Sequence, residues 1–187
     1  INNTEFTNCH ATYNGGAVYI SYVDSAEIND CNFTSNGVDI IEGYPTYGGA
    51  MVIDMSTITI NNSRFVNNTA SEGNAIYAYD ASYDIRNSLF ENNTNAIYTV
   101  FDKECSLENN TIINDNISLN NTFYATIQVG EGLQLTLLNN TISVDSIPKK
   151  FDLRDWGWVS PVRNQGWMGA CWTFGMTGTL ESALLKA

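Results

Sequence analysis

A short motif reads Asn61-Asn62-Ser63-Arg64-Phe65-Val66-Asn67-Asn68, and close copies of it recur along the chain. The copies centre on four phenylalanines that are separated by 27, 32 and 25 residues: Phe6, Phe33, Phe65 and Phe90. Weaker copies follow at residues 109–112 and 139–142. A repeat that keeps its motif while its length varies indicates one structural unit per repeat, joined by loops of variable length.

A second motif follows the first in each repeat. Its copies are Gly15-Gly16-Ala17-Val18-Tyr19, Gly48-Gly49-Ala50-Met51-Val52, Gly73-Asn74-Ala75-Ile76-Tyr77 and Asn95-Ala96-Ile97-Tyr98. Both motifs alternate apolar and polar residues between Gly or Asn positions, which predicts short strands that end in turns.

Two or three such strands in every repeat predict that residues 1–144 form a right-handed parallel β-helix. Coils stacked about 4.8 Å apart would place Phe on Phe inside, and Asn on Asn at the turns, with each amide hydrogen-bonded to the next coil. Asn also tolerates the left-handed backbone conformation that tight corners need. A β-sandwich is the alternative, but its strands would not share one motif.

The charged residues separate two regions that meet near Asp145. Residues 1–144 carry 3 basic and 16 acidic side chains, residues 145–187 carry 5 and 4, and the net charge is −12. Because a field of this sign repels phosphate backbones, we expect no nucleic-acid partner. The apolar stretches are far shorter than the ~20 residues of a membrane helix, so we expect no membrane span. No CxxC pair indicates zinc, and we expect neither a metal nor a cofactor.

Nine Asn-x-Ser/Thr sequons are candidate glycosylation sites, although an Asn-rich chain also forms such triplets by chance. They start at Asn2, Asn32, Asn61, Asn67, Asn92, Asn109, Asn116, Asn120 and Asn139. The chain begins at Ile1 without an initiator Met, so we interpret it as a piece of a longer protein. Glycosylation would place that protein outside the cell or at its surface.

Three other features of residues 1–144 are functional candidates. The first is an acidic row, able to bind calcium or to act on a sugar if the residues stack, or else a set of ordinary turn residues: Asp24, Asp54, Asp80 and Asp102. The second is the insertion at residues 37–47, whose aromatic residues would bind a glycan or a protein partner, or fold back over the helix. The third is His10, the single histidine, which we interpret as a turn residue.

The pattern around residues 61–77 resembles the repeats of large secreted adhesin-like proteins of methanogenic archaea and of polymorphic outer-membrane proteins of bacteria. The resemblance covers residues 1–144. It implies surface display and a role as a stalk or passenger. Unpaired backbone groups at the two ends of a β-helix also predict self-association through those ends.

The last forty residues differ in composition and carry a second resemblance. Residues 147–166, which include Pro161-Val162-Arg163-Asn164-Gln165-Gly166, resemble the mature start of papain-like cysteine peptidases. Residues 167–174, with Gly169-Ala170-Cys171-Trp172, resemble the nucleophile motif of that family. We therefore assign residues 145–187 to a truncated papain-like segment, and the fold class is mainly β with a short α-containing segment at the end.

The resemblance implies that Cys171 is the nucleophile at the start of a long helix and that Gln165 donates to the oxyanion hole. A helix N-terminus favours the thiolate, which is consistent with that role. Met168 stands where the family usually has a further cysteine, so we expect one structural disulfide of the family to be lost here. The family's histidine and asparagine lie downstream of Ala187, so we expect the chain as given to be catalytically incomplete.

Two functions follow from these features. The first is an extracellular structural protein, an adhesin-like stalk or a filament subunit, that carries an incomplete papain-like segment. The second is a cell-surface papain-like endopeptidase whose histidine and asparagine lie outside this chain. The first accounts better for the 187 residues, because they offer Cys171 no general base.

Overall fold

The structure is a computed structural model, and it describes residues 1–40, 43–113 and 126–143. The chain divides into two units, Ile1–Ser146 and Ile147–Ala187, and all described residues belong to the first. The predicted nucleophile helix and the rest of the papain-like segment lie outside the described residues.

The described residues form short strands joined by turns and loops. These strands are β1 (Glu5–Thr7), β2 (His10–Ala11), β3 (Val18–Ser21), β4 (Ala26–Asn29), β5 (Asn32–Thr34), β6 (Gly37–Val38), β7 (Met51–Asp54), β8 (Thr57–Asn61), β9 (Arg64–Val66), β10 (Ile76–Tyr79), β11 (Ser82–Arg86), β12 (Leu89–Glu91), β13 (Ile97–Val100), β14 (Asp102–Glu108), β15 (Thr111–Ile113), β16 (Ile127–Val129), β17 (Gly132–Leu138) and β18 (Thr141–Ser143).

Three parallel sheets run along the molecule, and successive coils add one strand to each. Sheet A has the order β1-β5-β9-β12-β15-β18, sheet B has β3-β7-β10-β13-β16, and sheet C has β4-β8-β11-β14-β17. A small parallel pair, β2 and β6, joins the first two coils. Parallel pairing of each strand with its counterpart one repeat later is the arrangement of a parallel β-helix, as the repeated motifs predict.

The four phenylalanines of the first motif stack inside sheet A. Phe6 pairs with Phe33 and Phe33 pairs with Phe65; Phe65 in turn pairs with Phe90. Their ring centroids lie 4.7, 4.7 and 4.8 Å apart, and the rings are within 5° of parallel. Phe33, Phe65 and Phe90 are fully buried, whereas Phe6 is half-buried because it belongs to the first coil. The predicted phenylalanine stack is confirmed.

Asparagine supplies most of the corners at which a residue other than glycine has a positive φ. Among the described residues, eight of the fourteen non-glycine positions with positive φ are Asn, with φ between 48° and 55°: Asn3, Asn8, Asn62, Asn67, Asn87, Asn92, Asn109 and Asn139. The short side chain of Asn hydrogen-bonds locally and makes this conformation less costly than it is for other non-glycine residues.

A ladder of buried asparagines follows the corner after sheet A. The backbone N–H and the Nδ2 of Asn36 both donate to Oδ1 of Asn68, at 3.0 and 3.1 Å. The same two groups of Asn68 donate to Oδ1 of Asn93, at 3.0 and 3.1 Å. Each of the three side chains is 1% exposed. The predicted amide hydrogen bonds between coils are therefore present, and they satisfy polar groups that turning the chain buries.

Gly49, the second glycine of the second motif, lies where two coils approach closely. We expect Gly49→Ala to destabilise the fold strongly. An added Cβ at Gly49 would lie 2.3 Å from the carbonyl oxygen of Asn74 and 2.6 Å from backbone atoms of Thr69. These atoms cannot withdraw without separating the coils, so we expect a loss of about 2–3 kcal/mol or more in the free energy of unfolding. Urea unfolding followed by far-ultraviolet circular dichroism measures it.

Gly37→Ala is the matched control for that substitution. An added Cβ at Gly37 meets nothing nearer than the Thr69 carbonyl oxygen at 3.4 Å. We expect this variant to unfold within about 0.5 kcal/mol of the wild type. Equal losses at Gly37 and Gly49 would contradict the role assigned to the close approach.

Candidate functional site

The predicted catalytic residues, Cys171 and Gln165, lie outside the described residues. Their roles stay predictions. The candidates that the structure does describe are the sequons, the acidic row, His10, the insertion at residues 37–47 and the outward faces of the sheets.

The described sequons differ in exposure. Five start at exposed asparagines: Asn2, Asn32, Asn67, Asn109 and Asn139. Asn61 and Asn92 are half-buried, and Oδ1 of Asn61 accepts a hydrogen bond from Nδ2 of Asn87 at 2.9 Å. Asn116 and Asn120 lie outside the described residues. A glycan would meet least obstruction at the five exposed positions.

The acidic row does not form, so that interpretation was wrong. Asp54 pairs with Tyr79 in the next coil, whereas Asp80 falls one residue later, at a corner with φ 45°. Oδ2 of Asp54 accepts from the Tyr19 and Ser21 hydroxyls, and Asp80 lies 3.3 Å from Nζ of Lys103. Within the described residues no group of three or more His, Cys, Asp or Glu could hold a metal ion.

His10 is a strand residue rather than a turn residue. It lies in β2 and pairs with Gly37 of β6. Its Nε2 is 2.6 Å from Oδ1 of Asp39, and both side chains are at least half exposed. No pattern in the sequence indicates this contact, because it depends on the pairing of β2 with β6.

A shallow polar groove of about 450 Å³ crosses the outward face of sheet C. Its lining alternates hydroxyl, amide and carboxylate side chains from successive coils, including Thr59, Asp84, Ser106, Glu104 and Gln134. Ser106 donates to Oδ1 of Asp84 at 2.8 Å. No sequence motif predicts this groove, since outward-facing Ser and Thr in a strand carry no distinctive signal.

Arg86 forms an ion pair with the Asp84 carboxylate of this groove. Its Nη2 is 2.6 Å from Oδ2 of Asp84, and its Nε is 3.5 Å from the Glu108 carboxylate. The hydrogen bond to Asp84, followed by the charges of Asp84 and Glu108, raises the pKa of Arg86. Arg86 thus balances the charge of Asp84, and the groove offers polar side chains for binding.

The insertion at residues 37–47 brings an aromatic side chain onto sheet B. The ring of Tyr47 lies 4.4 Å from that of Tyr77, and the Tyr77 ring lies 5.6 Å from that of Tyr98 in an edge-to-face arrangement. Tyr47 also forms a parallel bridge with Glu72 of the next coil. Ile40 and Tyr44 of the insertion are 68% exposed. Part of the insertion thus folds back, and part of it faces solvent.

Glu72 supports a pH-dependent prediction. Burial raises the pKa of its carboxyl above the ordinary value, so the folded protein holds that proton more tightly than the unfolded chain does. The facing hydroxyls of Tyr47 and Tyr77 are neutral in this range, because a phenol ordinarily titrates far above it and burial raises the pKa of both further. Ionised Glu72 therefore opposes folding at neutral pH, and its cost disappears as the pH falls through the raised pKa.

We expect Glu72→Gln to unfold at a higher temperature than the wild type at neutral pH and to lose that advantage by about pH 4, near the unfolded pKa of Glu. Thermal unfolding across this pH range measures the difference. Glu27→Gln, at an exposed strand position, removes the same charge and is the control. An advantage that persists at low pH would contradict the assignment to Glu72 ionisation.

Comparison with known proteins identifies the described unit. The family model for the right-handed β-helix region matches residues 1–112, more than half of the chain. The chain belongs to the right-handed β-helix family. The handedness predicted from the repeats agrees with this match. No solved structure matches this β-helix chain.

The end of this β-helix chain matches another family. The model for the papain family cysteine protease matches residues 147–187. Cathepsin 7 of Rattus norvegicus is 55% identical over 40 residues, which cover 21% of this chain and 12% of that relative. Ananain of Ananas comosus is 29% identical over 118 residues, which cover 60% of this chain and 34% of ananain. The chain thus spans a minor part of the curated peptidases that it matches.

One further relative has a receptor-like name. Metabotropic glutamate receptor-like protein R of Dictyostelium discoideum is 34% identical over 94 residues, which cover 50% of this chain and 6% of that relative.

In the part of the chain that the structure describes, no helix is long and apolar enough to cross a membrane.

Proposed function

We propose that the β-helix is the structural arm of an extracellular surface protein, an adhesin-like stalk or a filament subunit, with a papain-like segment at its C-terminal side. The observation that carries this proposal is the continuous stack of six strands in sheet A, four of which carry the phenylalanine column. Such a stack is stiff, because each coil is hydrogen-bonded to its neighbours along three sheets.

The surface of the stack is compatible with display outside a cell. Five candidate glycosylation asparagines are exposed, and the excess of 16 acidic over 3 basic side chains in residues 1–144 favours solubility. The outward groove on sheet C and the tyrosines on sheet B offer sites for a glycan or protein partner. The first motif, which resembles adhesin-like and polymorphic outer-membrane repeats, fits the same role.

Antibody labelling of intact cells tests the location. An antibody raised against residues 1–146 is expected to bind cells that have not been permeabilised. Mass spectrometry of the native protein is expected to find glycans at the exposed sequons rather than at Asn61. Labelling that requires permeabilisation would contradict an extracellular location.

Association through the ends is the second part of this proposal. The last described coil exposes apolar side chains that are buried one coil earlier: Leu137 is 50% exposed, whereas Leu107, its partner in sheet C, is fully buried. We expect a polypeptide ending at Val144 to associate with increasing concentration, because the edge strands offer unpaired backbone groups. Sedimentation velocity measures this, and a monomer at every concentration would count against end-to-end assembly.

A second candidate function is cysteine peptidase activity, which the match of residues 147–187 to the papain family favours. Cys171 would be the nucleophile and Gln165 would stabilise the oxyanion in a longer polypeptide that supplies a histidine and an asparagine. In that protein the β-helix would be a spacer, or an arm that positions the substrate.

The 187-residue polypeptide alone is expected not to turn over peptide substrates. Proton transfer by an imidazole typically contributes 10²–10⁴-fold, and the single histidine, His10, is paired with Asp39 in the first coil. An electrophilic epoxide or iodoacetamide is nevertheless expected to label Cys171. Turnover by this polypeptide that is lost in Cys171→Ala would show that another group serves as the base.

A further inference from the structure

Among the described residues of the β-helix, most partly buried carboxylates contact a cation or a hydrogen-bond donor. Asp84 lies beside Arg86, Asp80 beside Lys103 and Glu91 beside Arg64. Asp54 accepts hydrogen bonds from two hydroxyls. Glu72 differs: among the described residues, no donor or cation contacts its half-buried carboxylate. An unpaired carboxylate that has lost part of its hydration lowers the stability of the folded protein, so its presence needs an explanation.

The surroundings of Glu72 are aromatic. Glu72 and Tyr47 form a parallel bridge, in which Glu72 N–H donates to Thr46 O and Gly48 N–H donates to Glu72 O, each at 3.0 Å. Their side chains therefore project from the same face of neighbouring coils. Tyr77 follows in the same coil as Glu72, with its ring 4.4 Å from that of Tyr47.

The electrostatic coupling of these groups supports their proximity. Burial, and next the charge of Glu72, raise the pKa of the Tyr47 hydroxyl. Burial, and then the charges of Tyr47, Glu72 and Tyr98, raise the pKa of Tyr77. One carboxylate and three tyrosine rings thus form a single cluster on the outward face beside sheet B, and all four side chains are half-buried.

We propose that the cluster of Glu72, Tyr47, Tyr77 and Tyr98 binds a cationic side chain, lysine or arginine, of a partner protein. A cation near the tyrosine rings is attracted by their negative faces, and the carboxylate supplies the counter-charge. The aliphatic stem of Lys or Arg packs on aromatic surface while its charged end reaches a carboxylate. The net charge of −12 attracts such a partner.

Other occupants fit the cluster less well. A divalent metal ion prefers six or more oxygen ligands, and Glu72 is the only carboxylate of the cluster. A neutral sugar could stack on these rings and bond to their hydroxyls, but it would leave the charge of the Glu72 carboxylate uncompensated, whereas a cation compensates it. This inference goes beyond the proposed structural role and does not depend on it, because a stiff arm needs no cation site.

Titration of the 187-residue chain with two small probes tests the proposal. N-acetyl-lysine methylamide carries the ammonium group, and N-acetyl-norleucine methylamide has the same apolar stem without the charge. We expect the lysine probe, and likewise N-acetyl-arginine methylamide, to shift the ring resonances of Tyr47, Tyr77 and Tyr98 in nuclear magnetic resonance spectra. The norleucine probe is expected to leave them unchanged.

Variants separate the cluster from the general negative charge of the arm. Glu72→Gln and Tyr77→Leu are each expected to weaken binding of the lysine probe by about three- to fivefold or more, as the loss of one cation–π or ionic contact predicts. Glu27→Gln removes the same charge elsewhere and is expected to leave the affinity unchanged. Circular dichroism spectra that match the wild type show that each variant is folded.

Three outcomes would overturn the proposal. Equal binding of the lysine and norleucine probes would show that charge is not recognised. If Glu27→Gln and Glu72→Gln weakened binding of the lysine probe equally, the binding would be due to the overall negative charge of the chain. Binding of a glucosamine oligomer at the same tyrosines, without binding of the lysine or arginine probes, would assign the cluster to an amino sugar instead.

Discussion

Phe65→Ala is expected to lower the free energy of unfolding by about 3–5 kcal/mol, the range for removing a buried phenylalanine side chain. The Phe65 ring is fully buried and lies between the rings of Phe33 and Phe90 at 4.7 and 4.8 Å. Its removal leaves a cavity in the middle of the stack, which the hydrogen-bonded coils on either side cannot close. Urea unfolding followed by far-ultraviolet circular dichroism measures the loss.

Two substitutions serve as controls for Phe65→Ala. Val66→Ala changes the next residue of β9, which faces outward and is half-buried, and should cost less than about 1 kcal/mol. Phe6→Ala removes the same ring from the half-buried first coil, where it stacks on one neighbour only, and should cost clearly less than Phe65→Ala. Equal costs at Phe6 and Phe65 would contradict an energetic role for the stack.

Asn68→Ala should be about as damaging, at about 3–5 kcal/mol, because it leaves several buried polar groups without a partner. Oδ1 of Asn68 accepts two hydrogen bonds from Asn36, and its Nδ2 donates to the Phe33 carbonyl oxygen at 3.0 Å and to Asn93. Water cannot replace these bonds, since the side chain is 1% exposed.

Asn32→Ala is the matched control for the ladder. Asn32 lies on the exposed face of β5, and we expect its substitution to change the free energy of unfolding by less than about 0.5 kcal/mol. Asn68→Asp adds a second comparison, because it keeps the Oδ1 acceptor of the side chain but removes the Nδ2 donor. We expect Asn68→Asp to be destabilised as well, since a carboxylate buried opposite the Phe33 carbonyl oxygen is repelled by it. A neutral result for both Asn68 variants would contradict the ladder.

The sites were less predictable than the fold. The insertion at residues 37–47 was recognised as unusual, but the sequence did not indicate that Tyr47 would meet Tyr77 or that Glu72 would lie beside both. The acidic row failed for a related reason. Asp54 ends β7, whereas Asp80 follows the end of β10, and a shift of one residue in a strand moves a side chain to another face. Contacts between coils depend on register, and loops of unequal length obscure register in the sequence.

The sequence by itself determined the repeat, the inward phenylalanines and the use of asparagine at corners, because these follow from local alternation and from the backbone preferences of Asn and Gly. Only the tertiary structure distinguished the two asparagines of each Asn-Asn pair. Asn67 adopts φ 55° and is exposed, whereas Asn68 turns inward and joins the ladder. The two residues are chemically identical, and what separates them is the direction in which the coil turns. That direction is set by the hydrogen bonds and ring stacking of the neighbouring coils, which lie 25 and 32 residues away in the chain.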